Sequence, residues 1–378
     1  MKKALIIAIS AAAVIACVIG CQGMFGPKEI KIGAILPLSG DAALYGVSPQ
    51  KGMNVALDEI NKYGGIKGKK LIIQYEDSKA LPNDGVAACN KLITIDKVKA
   101  IIGDAASSVT LAIAPIVEKN KVVLLSPLSS APAITNAGDY IFRIVPSDLF
   151  GGKIAAYFAV KDQLWEKVAI LYINNDFGVG LKDVFKNELE ALGGAVVIAE
   201  SADQGSTDFR TQLFKIKKSK PEAIFVIGYR ETPKILIQMR EIGLKIPVLG
   251  TGDMEDPNLI KIARKAAEGI FFTQLKYDIT DSTSSLVEFV NRYKMKYNTE
   301  PDIFAAYGYD AMRLLAYAIG QSDFTGEGIK NALYQVKSFK GVTGEISFDA
   351  NGDVIQTMGV KTVKNGKFIW YKKEINLN

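Results

Sequence analysis

Residues Lys99 to Pro132 read KAIIGDAASSVTLAIAPIVEKNKVVLLSPLSSAP. Two apolar runs of strand type, Ala100 to Gly103 and Val122 to Leu125, flank a helix-patterned segment from Val109 to Glu118. Each run breaks into a loop of small residues, Asp104 to Ser108 and Ser126 to Ser130. Strand, loop, helix, strand, loop is the repeat of a parallel α/β sheet. In such sheets the loops at the carboxyl ends of adjacent strands open on one crevice. Ser107, Ser108, Ser129 and Ser130 are therefore expected to face a common space beside a helix N-terminus. Hydroxyls and free backbone N–H groups there suit a small carboxylate. Serines ahead of a helix also serve as plain N-caps, and this stretch alone leaves both roles open.

Upstream, Glu29 to Leu36 (EIKIGAIL) predicts a strand, the loop PLSGDAALYG follows, and Val47 to Lys62 has helical spacing. A strand at Leu71 to Tyr75 and a helix at Asn83 to Ile95 lead back to the quoted stretch. Downstream, the strand Ile141 to Val145 ends at a composition break, Pro146-Ser147-Asp148. A second βα series begins there. Its expected helices are Phe150 to Lys161, Gly180 to Leu192, Asp208 to Lys218 and Glu231 to Ile242. Its strands are Val168 to Ile173, Ala195 to Glu200, Ala223 to Ile227 and Pro247 to Leu249. Gly269 to Thr273 is strand-like and leads to helices at Ser284 to Tyr297, Ile303 to Gln321 and Gly328 to Val336. The tail reads as strands at Gly344 to Phe348, Thr357 to Val363 and Lys367 to Tyr371. Asn351-Gly352 and Asn365-Gly366 are hairpin turns between them. The expected fold class is α/β, with two doubly wound, Rossmann-like lobes joined by a multi-strand hinge. Lobe 1 is assigned 29–146, lobe 2 147–273, a return to lobe 1 274–350, and a β tail of lobe 2 351–378.

A chain of 378 residues with 48% hydrophobic content has material for two cores. Its net charge of +6 is scattered singly; the densest run, Lys215 to Lys220, reads as a solvated helix end, so nucleic acid is not an expected partner. Met1-Lys2-Lys3, the apolar run Ala4 to Ile19 and the closing Val18-Ile19-Gly20-Cys21 have the layout of a secretory signal ending in a lipobox. The expectation is a leader over 1–21, lipid on Cys21, a tether over 22–28 and an extracytoplasmic body (periplasm or cell surface). Of the three cysteines only Cys89 would remain in the body, which excludes an intrachain disulfide and a CxxC metal site. Histidine is absent, removing Ser–His and Cys–His nucleophiles and the usual zinc sets. No phosphate-binding glycine loop occurs either. No catalysis, metal or cofactor is expected. A hinged two-lobed body without catalytic equipment reads as a reversible binder of a small molecule.

Several collinear motifs carry a family resemblance: KIGAILPLSGDAALYG (Lys31 to Gly46), ALDEINKYGGIKGKKLIIQYED (Ala56 to Asp77), IIGDAASS (Ile101 to Ser108) and LLSPLSSAPAIT (Leu124 to Thr135). LYINNDFGVGL (Leu171 to Leu181), MREIGLKIPVLG (Met239 to Gly250) and AAYGYDAMRLL (Ala305 to Leu315) extend them. The chain resembles the solute-binding proteins of branched-chain amino acid ABC importers, of the type I periplasmic-binding fold. The resemblance implies a monomer that closes on a small carboxylate-bearing solute, an apolar α-amino acid, and delivers it to a membrane permease. It places the solute carboxylate on Ser107, the Leu128 backbone and Ser130, and the side chain against Tyr45, Phe177 and Tyr229. Asp253 is the implied ammonium partner, with Glu255 behind it; a helix N-cap role for Asp253 ahead of Pro257 to Ala263 stays open. Where a relative carries a first-lobe disulfide, this chain has Lys79 and Ala106. The alternative is a sensing receptor of the same fold for an amide, urea or an aromatic acid.

Overall fold

The computed structural model describes residues 29–377 apart from 276, 278, 280, 281 and 355. The expected leader, Cys21 and the tether lie outside the described residues. The chain opens with β1 (Glu29–Leu36), α1 (Leu44–Lys62), β2 (Lys70–Asp77), α2 (Pro82–Thr94), β3 (Ala100–Gly103), α3 (Ser107–Asn120), β4 (Val123–Ser126) and β5 (Ile141–Arg143). These strands form one parallel sheet in the order β2-β1-β3-β4-β5. β3 and β4 are buried along their whole length, as strands covered by helices on both faces must be.

The second lobe follows: α4 (Asp148–Tyr157), β6 (Lys167–Ile173), α5 (Asp176–Ala191), β7 (Ala195–Ala202), α6 (Arg210–Ser219), β8 (Ala223–Ile227), α7 (Thr232–Glu241), β9 (Val248–Gly250), α8 (Pro257–Ala263) and β10 (Phe271–Leu275). The chain then returns to the first lobe with α9 (Ser284–Tyr297), α10 (Ile303–Gln321) and α11 (Gly326–Tyr334). A small ribbon of β11 (Phe339–Lys340) and β12 (Glu345–Ile346) follows. It ends in the second lobe with β13 (Met358–Lys364) and β14 (Lys367–Lys372). That sheet runs β14-β13-β10-β9-β8-β6-β7, parallel from β7 to β10 and antiparallel at β13 and β14. In each sheet the chain order reverses once, beside β1 in one and β6 in the other. Loops part at those switch points, and both face the gap between the lobes.

Two features hold this arrangement in place. α1 and α10 touch backbone to backbone. A Cβ on Gly52 would lie 1.8 Å from the Ala305 carbonyl oxygen, and one on Gly308 2.1 Å from that of Pro49. At the hinge, Arg143 is fully buried at the end of β5. Its Nε and Nη2 donate to the two Asp353 carboxylate oxygens at 2.6 and 2.8 Å, joining the first chain crossing to the third. Its Nη1 donates to the Ala131 carbonyl at 2.8 Å, tying the hinge to the loop after β4.

Three of the helices that begin earlier than the apolar periodicity suggests do so at the interlobe gap: α1 at Leu44 and not Val47, α3 at Ser107 and not Val109, α5 at Asp176 and not Gly180. Their first turns border the interlobe gap and turn side chains to it, so the core-facing repeat starts later. Tyr45, Ser107 and Phe177 consequently sit on helix first turns and not in free loops. The tail differs too. Asn365-Gly366 does turn β13 into β14, both residues at positive φ (+53° and +68°) as a tight hairpin requires. Asn351-Gly352 also turns the chain back, but only a single antiparallel bridge, Phe348 to Val354, flanks it in place of the expected strands. Asp349 Oδ1 accepts from the N–H groups of Asn351 and Asp353, closing a side-chain turn in the third crossing. Ile346, inside the strand expected at Gly344 to Phe348, pairs with Phe339 instead.

Candidate functional site

The loops after β2, β3 and β4 are laced together around one buried acid. Asp104 Oδ1 accepts from the Ala106 N–H at 2.7 Å and Oδ2 from Ser78 Oγ at 2.6 Å. The Asp104 carbonyl accepts from Ser126 Oγ and Ser129 Oγ, each at 2.7 Å, and Thr110 Oγ1 lies 2.8 Å from Ser129 Oγ. Burial pushes the Asp104 carboxyl up to about 7 against the pull of the Ser78 and Ala106 hydrogen bonds. This lattice fixes the N-terminus of α3, whose first N–H groups have no intrahelical partner.

The four serines divide. Ser107 and Ser130 line the interlobe cavity. Ser129 is fully buried in the lattice, and Ser108, part-buried, is not on the cavity wall. Consecutive residues on a helix entry point in different directions, so a doublet delivers one hydroxyl to the site. The Ser107 hydroxyl does not cap α3, whose N-cap position is Ala106; it accepts from the Ala131 N–H at 3.2 Å. Ser130 Oγ donates to Asp148 Oδ2 at 2.9 Å, and the Asp148 N–H returns a bond to the Ser130 carbonyl at 2.8 Å. In this arrangement the Ser130 proton goes to Asp148, which leaves its lone pairs toward the cavity. Leu128 likewise turns its N–H inward to Ser126 Oγ at 3.3 Å, while no hydrogen bond among the described residues engages its carbonyl.

The second lobe contributes rings and acids. Asn175 caps α5, its Oδ1 accepting from the Gly178 N–H at 2.9 Å. Phe177, on the following turn, is 4% exposed and stacks on Tyr229, centroids 5.2 Å apart. Tyr229 meets Tyr45 of the first lobe at 5.3 Å, and Tyr45 meets Phe304 edge-on at 5.2 Å. Four rings thus form one wall across both lobes, a geometry in which aromatic pairs attract. The Tyr229 turn is held by buried Glu231, which accepts from the Tyr229 N–H at 3.0 Å and from the Gly205 N–H at 2.7 Å.

Asp253 lies in the turn after β9 and accepts from Thr251 Oγ1 at 2.9 Å. It does not cap α8: Asp256 does, accepting from the Asn258 N–H at 2.8 Å. Glu255 is bound to Lys361 and to Gln274 Nε2, so it is no free reserve acid. Burial pushes Asp253 up to about 6, opposed by the Thr251 hydrogen bond. Asp148 is pushed further, to about 7. Burial is the main cause and the Asp253 charge adds to it, while the Ser130 hydrogen bond and Arg143 pull it down. The Asp253 charge reaches Asp148, and a cation beside the two would favour the ionised form of both.

All seven residues singled out from sequence, Tyr45, Ser107, Leu128, Ser130, Phe177, Tyr229 and Asp253, line one cavity between the lobes. It holds about 1010 Å³ between protein atoms, open solvent at its mouth included. Asp148, Gln274, Ile303, Phe304, Tyr307 and Met358 line it as well and were not anticipated. For Asp148 a signal existed: it ends the Pro146-Ser147-Asp148 break, where a lobe crossing meets a helix start. No group of described residues could hold a metal ion, and no described helix is long and apolar enough to cross a membrane.

Comparison with known proteins places this geometry. The periplasmic binding protein family model matches residues 29–367. A Leu/Ile/Val-binding protein of Citrobacter freundii is 30% identical over 347 residues, 91% of each chain. Among solved structures, the branched-chain amino acid transporter substrate-binding protein LivJ of Streptococcus pneumoniae, in complex with isoleucine, is 33% identical. Its TM-score is 0.83, over 90% of this chain and 97% of that one. A solute-binding protein of an ABC transporter from Rhodopseudomonas palustris BisB5, in complex with 3,4-dihydroxybenzoic acid, is 27% identical. Its TM-score is 0.81, over 90% and 95% of the two chains.

Proposed function

The chain belongs to the periplasmic binding protein family, and we propose that it is the extracytoplasmic solute receptor of an ABC importer, closing on an α-amino acid with a mainly apolar side chain. As a member of a family of binding proteins it is not an enzyme. The observation that carries the ligand class is the pairing of unlike charges in one cavity. The N-terminus of α3 with Ser107 offers donors to a carboxylate. Asp148, Asp253, Ser130 Oγ and the Leu128 carbonyl offer acceptors to an ammonium. Tyr45, Phe177, Tyr229 and Phe304 then cover the side chain. Burying about 100 Å² of it contributes roughly 2.5 kcal/mol before ordering costs.

This assignment moves Ser130 and Leu128 from the carboxylate end to the ammonium end, because their donors are spent within the protein. Calorimetric titration with leucine, isoleucine, valine, 4-methylpentanoate and 3,4-dihydroxybenzoate tests it. The amino acids bind, and 4-methylpentanoate, which lacks the ammonium, binds at least a hundredfold more weakly than leucine. Tight binding of the aromatic acid in their place would support the second reading, a receptor for aromatic carboxylates. The contiguous ring wall and the dihydroxybenzoate-bound relative favour that reading. Membrane attachment through lipid on Cys21, a monomeric state and delivery to a permease belong to the same proposal. Cys21→Ser is expected to release the protein from membranes into the soluble fraction; retention would speak against the lipid.

A further inference from the structure

Helix α10 presents Ile303, Phe304 and Tyr307 to the cavity, positions that share one helical face. Phe304 continues the ring wall through its edge contact with Tyr45, so this face borders the side-chain end of the site. Tyr307 is 3% exposed, and its hydroxyl has no hydrogen-bond partner among the described residues. Among the described residues it is the one lining the cavity with a buried side-chain polar atom left unpaired. Several other polar groups on the wall are paired within the protein: Ser107 with Ala131, Ser130 with Asp148, Thr251 with Asp253, Gln274 with Glu255. The acid one turn along, Asp310, does not serve the phenol, since both its oxygens accept from Val342 and Thr343. A phenol hydroxyl is retained in a buried position at a cost unless something supplies its partner.

We propose that the solute supplies it: Tyr307 is a specificity-determining residue whose hydroxyl meets a hydrogen-bonding atom on the solute's side chain. The inference rests on the amino-acid reading above and narrows it. The preferred solute carries a polar atom on an otherwise apolar side chain, and a purely aliphatic one leaves the phenol unpaired. Discrimination of this kind is effective because a site built to pair a polar group loses that pair with the isostere lacking it.

Isosteric pairs read this directly. Dissociation constants of valine against threonine and of leucine against asparagine are measured for the full chain and for Tyr307→Phe, with thermal melts of both proteins. In the native protein the polar member of at least one pair binds about tenfold more tightly. Tyr307→Phe lowers that polar-to-apolar ratio about tenfold and leaves the apolar member within about twofold. A ratio unchanged by the substitution, equal weakening of both members, or native preference for the apolar member of both pairs would overturn the assignment of Tyr307 alone. Failure of every α-amino acid to bind would overturn the reading beneath it, and this inference with it.

Discussion

The two walls of the cavity are built on different principles. The first-lobe wall is a lattice: Asp104, Ser78, Ser126, Ser129 and Thr110 bond to one another beneath Ser107. The second-lobe wall is a surface of rings and acids whose polar atoms have few partners, Asp253 having Thr251 and Tyr229 packing mainly by its faces. A lattice preorganises donors for a headgroup, so its residues serve stability and binding together. The ring-and-acid wall is held in a state that suits the bound solute better than the free protein, since burial disfavours the charges on Asp148 and Asp253. Substitutions in the two walls should therefore separate stability from affinity.

The largest effect is expected where the lattice meets the hinge. Arg143→Ala leaves Asp353 uncompensated in a buried setting and frees the Ala131 carbonyl, and is expected to lower unfolding free energy by roughly 3–5 kcal/mol. Denaturant titration checks it; a loss under about 1 kcal/mol would show that the clasp is not structural. Next, Asp253→Asn should weaken amino-acid binding about a hundredfold, within the range for removing one partner of a desolvated charge pair. Its melting temperature at pH 8 should hold or rise. The sign follows from linkage. The folded-state carboxyl titrates near 6, above its ordinary value of 3.8, so stability present at low pH is lost as pH rises through 6. Removing the charge removes that loss. A parallel fall in affinity and melting temperature would break the distinction between the walls.

The pH profile sharpens it further. A bound ammonium favours the ionised forms of Asp148 and Asp253, which titrate near 7 and 6 in the free protein. Affinity should fall as pH drops from about 7 to 5, by up to tenfold per unit for each proton displaced. Asp253→Asn should flatten the profile, and an unmodified slope would remove Asp253 from the site. Ser107→Ala is expected to have the smallest effect of the four, about a tenfold loss of affinity from one charge-assisted hydrogen bond. A small loss of stability accompanies it, through the Ala131 N–H that Ser107 holds. Unchanged carboxylate binding in this variant would move the headgroup elsewhere.

The lobes were legible in sequence because strand runs and helix periodicity report burial, and burial is what most of this chain's residues experience. The cavity residues were legible for the same topological reason: strand ends at a switch point converge whatever their side chains. What sequence pattern did not reveal was direction. Ser130 and Leu128 sit where expected, yet their donors turn to Asp148 and Ser126, a choice made by neighbours from other strands. A capping role for Asp253 ahead of α8 stayed open in the sequence, and the backbone geometry gives that role to Asp256. Tyr307 lay hidden in an apolar helix, where a buried tyrosine looks like any other packed ring.

The account's central claim is that the solute lies between unlike walls, its carboxylate at Ser107 and the start of α3 and its ammonium at Asp148 and Asp253. A crystal structure of the protein grown with its tightest-binding amino acid tests this most directly. The predicted result is density in the interlobe cavity, a carboxylate oxygen within hydrogen-bond distance of Ser107 Oγ and the amino nitrogen within reach of Asp253. Density outside the cavity, or a solute lying with its carboxylate toward the two acids, would contradict it.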